Sequence, residues 1–277
     1  MSSAMANGTM PRQRACAAFA NRLQTRSDAT MSARLDQPFI RAAAALRSYR
    51  ANAGEAARWM HPSWTLFLLA LDAAQLADWN RALAQSSPAA VERVSLALCA
   101  GAGVVAPSIP TLSQPALRPR PQGASPNPSL IDVVPAVTGQ QVLRMRALSF
   151  RRTEVRRLID RRSREQLSAW AGCSVDSLCH DAHLAEAPDL ARLGMRAPIM
   201  PLGELDADAL SLEGLMLMQR DLEMQASPCP LLGLALPRML HPPAWIAGMP
   251  REIDSPGTAR LFARLPELLP EWAWLFG

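Results

Sequence analysis

Apolar residues recur at helical spacing from Gln37 to about Trp59. At about 100° per residue, Ala42, Leu46, Tyr49, Ala53, Ala57 and Met60 fall on one arc, and Arg47, Arg50 and Arg58 lie opposite. His61-Pro62-Ser63 breaks this pattern, because a residue preceding proline is pushed out of the helical region. Ser63 then reads as the cap of a second helix, Trp64 to about Gln85, whose first half is apolar nearly all round and is expected to sit centrally in a core. Within it, Asp72 projects between Trp79 and Leu83 and would need a partner if buried. Ser87-Pro88 supplies a cap and an N1 proline for a third helix, which Gly101 ends.

Residues 104–138 change character. Pro107, Pro110, Pro115, Pro119, Pro121, Pro126, Pro128 and Pro135 fall there among Ser, Gly and Gln, a composition that reads as a semi-rigid linker or a long excursion. Beyond it, Gln140 to Trp170 is helical and basic and is closed by Gly172. Ser174 caps a short helix to about Ala185, stopped by Pro188. Asp206 or Asp208 opens a helix through Glu223 with Leu210, Gly214, Leu217 and Asp221 at helical spacing, and Ser227 to Pro250 is apolar and broken by prolines. Thr258 to Phe276 is helical with a break near Pro266 and Pro270, and finishes on Trp272, Trp274, Leu275 and Phe276. So apolar an end is expected to dock on its own core or on a partner. The expected architecture is all-α, an irregular helical bundle in four stretches. These are a disordered N-terminal extension (1–36), an N-terminal helical part (37–103), a Pro-rich linker (104–138) and a C-terminal helical part (139–277).

The composition of the 277 residues agrees with helices: apolar residues make up 49% and are rich in Ala and Leu, while aromatics are 5%. No run approaches the roughly 18 apolar residues a membrane span requires. All 29 basic residues are Arg. Without lysine, a P-loop, a Schiff base and a lysine nucleophile are excluded. The five cysteines (Cys16, Cys99, Cys173, Cys179, Cys229) are odd in number and scattered, which suits free thiols rather than a disulfide framework. The first thirty residues hold Arg12, Arg14, Arg22 and Arg26 against Asp28 without the apolar centre of a secretory signal. They read as a transit peptide or as an extension ahead of an alternative start at Met31.

Candidate chemistry is sparse. Cys179 and His183 stand four apart and, with Cys173 and His180, form one metal-like group, but the spacing matches no zinc module and ordinary packing explains it as well. Gly101-Ala102-Gly103 follows a helix instead of opening one and is no nucleotide fingerprint. His61 and His241 each precede a proline and have no nearby nucleophile to serve. Nine arginines fall between Arg144 and Arg164. On a helical projection Arg157, Arg161 and Arg164 share a face opposite Val155, Leu158, Ile159 and Trp170. Pairings of Glu154 with Arg157, Asp160 with Arg164 and Arg161 with Glu165 would consume part of that charge. The face reads as solvated surface, as a site for an acidic protein partner, or as a phosphate-binding surface.

Two segments carry a resemblance. One is Met60-His61-Pro62-Ser63-Trp64. The other is Leu148-Ser149-Phe150-Arg151-Arg152-Thr153-Glu154-Val155-Arg156-Arg157-Leu158-Ile159-Asp160, followed by Leu167, Gly172 and a short helix ending at Pro188. Together they resemble the SctK family of bacterial type III secretion systems, which is YscK-like and nearest to the Hrp-type members, over residues 38–100 and 140–225. The resemblance implies a non-enzymatic, mostly helical adaptor without a cofactor, peripheral at the cytosolic face of the inner membrane. There it would link an SctD-like ring's cytosolic domain to the SctQ-like pods that carry SctL and the ATPase. Neither nucleic-acid binding nor membrane insertion is expected. The leader and the Pro-rich stretch depart from the family pattern. On this reading the partner-facing residues are Arg157, Arg161 and Arg164, or the terminal Trp272, Trp274 and Phe276. The rival reading is a helical DNA-binding regulator that uses Arg144–Arg164 as its basic helix.

Overall fold

A computed structural model describes residues 38–120, 123–179, 188–195 and 197–277, and among these the fold is all-α with one small hairpin. Helix α1 (Pro38–Gly54) buries the small residues Ala42, Ala45 and Ala53 with Tyr49, as its periodicity predicts. It continues into a short α2 (Ala56–Trp59). The stretch expected to form one helix from Trp64 is instead two, α3 (Pro62–Leu69) and α4 (Ala73–Gln85). Ala70 turns left-handed at φ 51° and ends α3. Asp72 then starts α4 with a reciprocal capping box: its carboxylate accepts from Gln75 N at 2.8 Å, and Gln75 Oε1 accepts from Asp72 N at 2.9 Å. This local bonding wins over continuation of the helix and places Asp72 at an exposed cap. Helix α5 (Pro88–Gly101) is capped by Ser87 as expected.

The His-Pro-Ser step is a clamp between distant parts of the chain. His61, not Ser63, is the cap of α3, because Pro62 takes the first helical position and leaves the preceding residue extended. Its Nδ1 accepts from Ser63 N at 3.2 Å. His61 N donates to Leu234 O at 2.8 Å, Trp64 Nε1 to Leu236 O at 3.0 Å, and Arg238 N to Ser63 Oγ at 2.8 Å.

Residues 104–138 form α6 (Ile109–Leu112), an antiparallel hairpin of β1 (Leu117–Arg120) and β2 (Gly123–Pro126), and a 3-10 turn (Pro128–Val133). Read from composition as a linker or excursion, the stretch contributes Leu112, Ala116, Leu130, Ile131, Val133 and Val134 to the main core. Polar residues of α1 satisfy its backbone: Ser48 Oγ donates to Val133 O, and Asn52 Nδ2 to Asp132 O and Val134 O, at 2.9–3.1 Å.

The expected Gln140–Trp170 helix is three pieces: α7 (Ala136–Phe150), α8 (Arg152–Arg157) and α9 (Arg161–Ala171). Asp160 restarts the chain as the cap of α9, accepting from Ser163 N at 2.7 Å, and Gly172 closes it at φ 69°. Next come α10 (Val175–Cys179), α11 (Leu190–Gly194) and α12 (Ala207–Asp221), the last capped by Asp206. The expected continuation from Cys179 to Ala185 and the extension before residue 38 lie outside the described residues. A 3-10 turn (Leu232–Ala235), α13 (Ala244–Ala247), α14 (Gly257–Leu268), a 3-10 turn (Pro270–Trp272) and α15 (Ala273–Phe276) complete the chain.

Helix α7 is the hub. It is buried on nearly all sides, with α9, α10 and α14 packed around it and α12 lying closest. That approach depends on Gly214 of α12, where a Cβ would overlap the Leu143 carbonyl of α7. Replacing Gly214 by alanine therefore forces the two backbones apart. We expect Gly214→Ala to lower stability by about 2–3 kcal/mol in urea denaturation, and Gly203→Ala, where a Cβ meets open space, to leave the midpoint almost unchanged.

Candidate interaction surface

The arginine run divides into an inner and an outer set. Arg146, Arg151 and Arg152 are fully buried, at 0–1% exposure, and Arg144 keeps only 11% of its side chain in solvent. Periodicity could not reveal this, because a guanidinium buried against carboxylates from remote segments has the same spacing as one in water. Arg146 reaches α12 and the start of α14: its Nη2 donates to Asp221 Oδ2 at 2.7 Å and its Nε to Thr258 Oγ1 at 3.1 Å. Its Nη1 lies 2.9 Å from Asp254 Oδ2, out of hydrogen-bond alignment, so that contact is electrostatic. Asp221 Oδ2 also accepts from Thr258 N and Oγ1. Asp254 holds a left-handed φ of 55° beside Gly257, where a Cβ would strike both Arg146 and Asp254. Arg151 grips Glu213 of α12 with a two-pronged contact at 2.6 and 2.9 Å, and also donates to Glu154 and to Met200 O. Burial opposes charge on Arg146 and Arg151, but their carboxylates more than offset it and hold both above the ordinary arginine value.

The outer set surrounds the α8–α9 break. Arg157 is exposed, and Arg161, whose side chain is 90% in solvent, pairs with Glu165 at 2.7 Å as expected. Arg164 is tied to Asp176 and donates to Leu158 O. The other two expected pairings do not form: Glu154 turns to Arg151 and Asp160 caps α9. Because the helix breaks, Ile159 is not on the apolar side with Val155 and Leu158 but stands 97% exposed. A continuous basic helix for DNA is thus absent, since its first half faces the core. Arg156 donates to Cys179 O at 2.6 Å, and Arg264 to Ser177 O at 3.0 Å, so two arginines hold the last carbonyls of α10.

At the C-terminus, Phe276 is 4% exposed and meets Phe262 edge-on at 6.1 Å, whereas Trp272 and Trp274 are half-buried with centroids 5.9 Å apart. Helix α3, expected at the centre of the core, buries only Thr65 and leaves Phe67 55% exposed beneath the Arg238 guanidinium. Its all-round hydrophobicity could be read as burial, and nothing in the pattern distinguished a covered helix from one awaiting cover. Leu96 of α5 is 45% exposed. Beside α3, a groove of about 620 Å³ is lined by Met60, Thr65, Leu76 and Leu83.

Nothing converges for chemistry among the described residues. No group of three or more His, Cys, Asp or Glu could hold a metal ion there. Cys179 is buried, and His180 and His183 of the sequence candidate lie outside the described residues. No described helix is long and apolar enough to cross a membrane. Asp132 is strongly perturbed, but it is 2% exposed and accepts from Leu231 N and Leu232 N at 3.2 and 2.8 Å, so its role is to hold that turn in the core. Burial pushes its carboxyl up to about 7 against the two backbone N–H donors.

The fold and its surfaces define a helical class of protein, with buried ion pairs inside and arginine-rich and apolar surface outside. A family model described as bacterial type III secretion protein (HrpB4) matches residues 36–271, and the chain belongs to that family, in line with the Hrp-type resemblance of its two motifs. No curated protein and no solved structure matches the chain.

Two measurements check the buried charges. Glu213→Ala removes the buried two-pronged partner of Arg151, leaving it Glu154 and the Met200 carbonyl, and should cost about 3 kcal/mol, whereas Glu165→Ala on the exposed Arg161 pair should cost less than about 1 kcal/mol in the same urea titration. For Asp132, a folded value near 7 lies above the ordinary 3.8, so the folded state binds the extra proton between them. Its contribution to stability therefore falls as pH rises from about 4 to about 7 and is level above that. Asp132→Asn should gain on the wild type between pH 5 and pH 8, and a pH-independent gap between the two would show that Asp132 does not titrate there.

Proposed function

We propose that the chain is a non-enzymatic adaptor in the type III secretion sorting platform, peripheral at the cytosolic face of the inner membrane. It joins the cytosolic domain of an SctD-like ring protein to an SctQ-like pod protein. Membership of a type III secretion family supports this. The observation that carries it is the presence of two exposed surfaces of different chemistry on different elements. One is apolar, on α3 and α5 (Phe67, Leu96), and the other is cationic, at the α8–α9 turn (Arg157, Arg161). A bridge needs two such surfaces, and unlike chemistry keeps each partner to its own. Arg164 contributes by fixing the turn through Asp176 and Leu158, and Phe276 by seating α15 so that Trp272 and Trp274 reach the surface as further contacts.

Mixing the purified chain with the ring protein's cytosolic domain and the pod protein tests the bridge. Co-elution of all three in one complex is expected, with Phe67→Asp losing at most one partner. Mutually exclusive binding, or none, contradicts the adaptor role.

A further inference from the structure

Leu158 and Asp160 have extended backbones, at ψ 114° and 121°, so side chains alternate across the turn between α8 and α9. Leu158 packs inward against the core, and Ile159 is thereby driven outward to 97% exposure. A single exposed isoleucine is ordinary on a protein surface. Here, however, it is flanked on both sides by the exposed Arg156, Arg157, Arg161 and Arg162. Arg161 has Glu165, while among the described residues no carboxylate pairs with Arg156, Arg157 or Arg162. The nearby Asp160 spends its carboxylate on the cap of α9. An apolar side chain flanked by exposed guanidinium groups, of which Arg161 alone is in an ion pair among the described residues, is the arrangement of a binding hot spot, in which the anchor fills a pocket and the rim supplies charge and register.

We propose that Ile159 and the four arginines around it form a protein-docking surface whose partner presents an apolar socket rimmed by aspartate and glutamate. The charge calls for an acidic partner. The isoleucine at its centre selects protein over nucleic acid, because a β-branched hydrocarbon set among arginines gains nothing from phosphates, whereas a protein can offer it an apolar socket. The inference rests on the adaptor reading and adds to it the anchor and the chemistry of the surface it meets.

The test uses the full chain against the purified pod protein and the purified ring cytosolic domain, with Ile159→Asp, Ile159→Ala and Arg157→Glu/Arg162→Glu variants. Circular dichroism checks that each variant stays folded, as the exposure of these side chains leads us to expect. Ile159→Asp and the double reversal should each weaken binding to one of the two proteins by about tenfold or more, with Ile159→Ala losing less. Added salt should shrink the loss from the reversal and leave the loss from Ile159→Asp. If the wild type binds neither protein, the adaptor reading falls and this inference with it. If the wild type binds and Ile159→Asp binds equally well, the docking surface alone is overturned. Overturning it too would be a steeply salt-dependent affinity for a mixed-sequence DNA duplex that the double reversal abolishes while protein binding is unchanged.

Discussion

Burying guanidinium groups is the constraint on which the rest of this structure depends. Arginine cannot shed its proton to enter a core, so each buried one must be met by carboxylates and carbonyls with good geometry. Helix α7 and the residue after it place Arg146 and Arg151 at zero exposure, and their partners come from the far side of the fold: Glu213 and Asp221 on α12, and Asp254 and Thr258 ahead of and within α14. Those contacts fix how α12 lies on α7 and where the chain from 254 to 258 runs. Gly214 and Gly257 serve the same end, since each leaves out a Cβ where another group must stand. The paired charges thus add a second constraint on how α12 lies on α7, beside the close backbone approach at Gly214.

The same run of arginines supplies the outer surface, and the division follows from local structure. Up to Arg152 the chain is enclosed by α12, α13 and α14, with Phe150 stacked on Trp245 at 5.2 Å. Past Val155 it leaves the core, breaks at Leu158–Asp160 and restarts under the Asp160 cap. Arginines up to Arg152 are held in the core, whereas Arg156, Arg157, Arg161 and Arg162 are exposed and Arg164 is half-buried against Asp176. One sequence motif therefore serves two purposes, and a family resemblance resting on it reports fold and surface together. The His61–Trp64 motif acts likewise as a clamp on residues 234–238, not as a reactive site.

Much of the fold was legible in the chain. The periodicity of α1, the Ser87-Pro88 start, the Gly172 stop and an aspartate start at Asp206 or Asp208, of which Asp206 is the cap, all report interactions within a few residues, which sequence spacing encodes directly. What could not be read depends on distant partners or on competition between local bonds. Hydrophobic spacing runs through Asp72 and so predicts it mid-helix, although its own capping box with Gln75 decides the matter. The proline-rich composition of residues 104–138 hid the apolar Leu130–Val134 segment, whose last three carbonyls, Asp132, Val133 and Val134, are met by Ser48 and Asn52 some 80 residues earlier. Of the proposed surface, spacing brings forward Arg157 and Arg161, both exposed, but assigns Ile159 to the apolar side, because it assumes an unbroken helix where the chain breaks.

The central claim, that paired buried charges dictate the packing of α12 and α14 on α7, is tested most directly by a double-mutant cycle across Arg146 and Asp221. Arg146→Leu, Asp221→Leu and the double variant would be compared by urea denaturation. The account predicts strong coupling: the double variant should be more stable than the summed single losses allow, by about 1–3 kcal/mol, because each single change deprives a buried charge of its nearest counter-ion, leaving Arg146 with Asp254 alone or Asp221 with Arg220, and the double removes both members of the pair. Losses that add to within about 0.5 kcal/mol would contradict it, since the two groups would then be acting as independent neighbours.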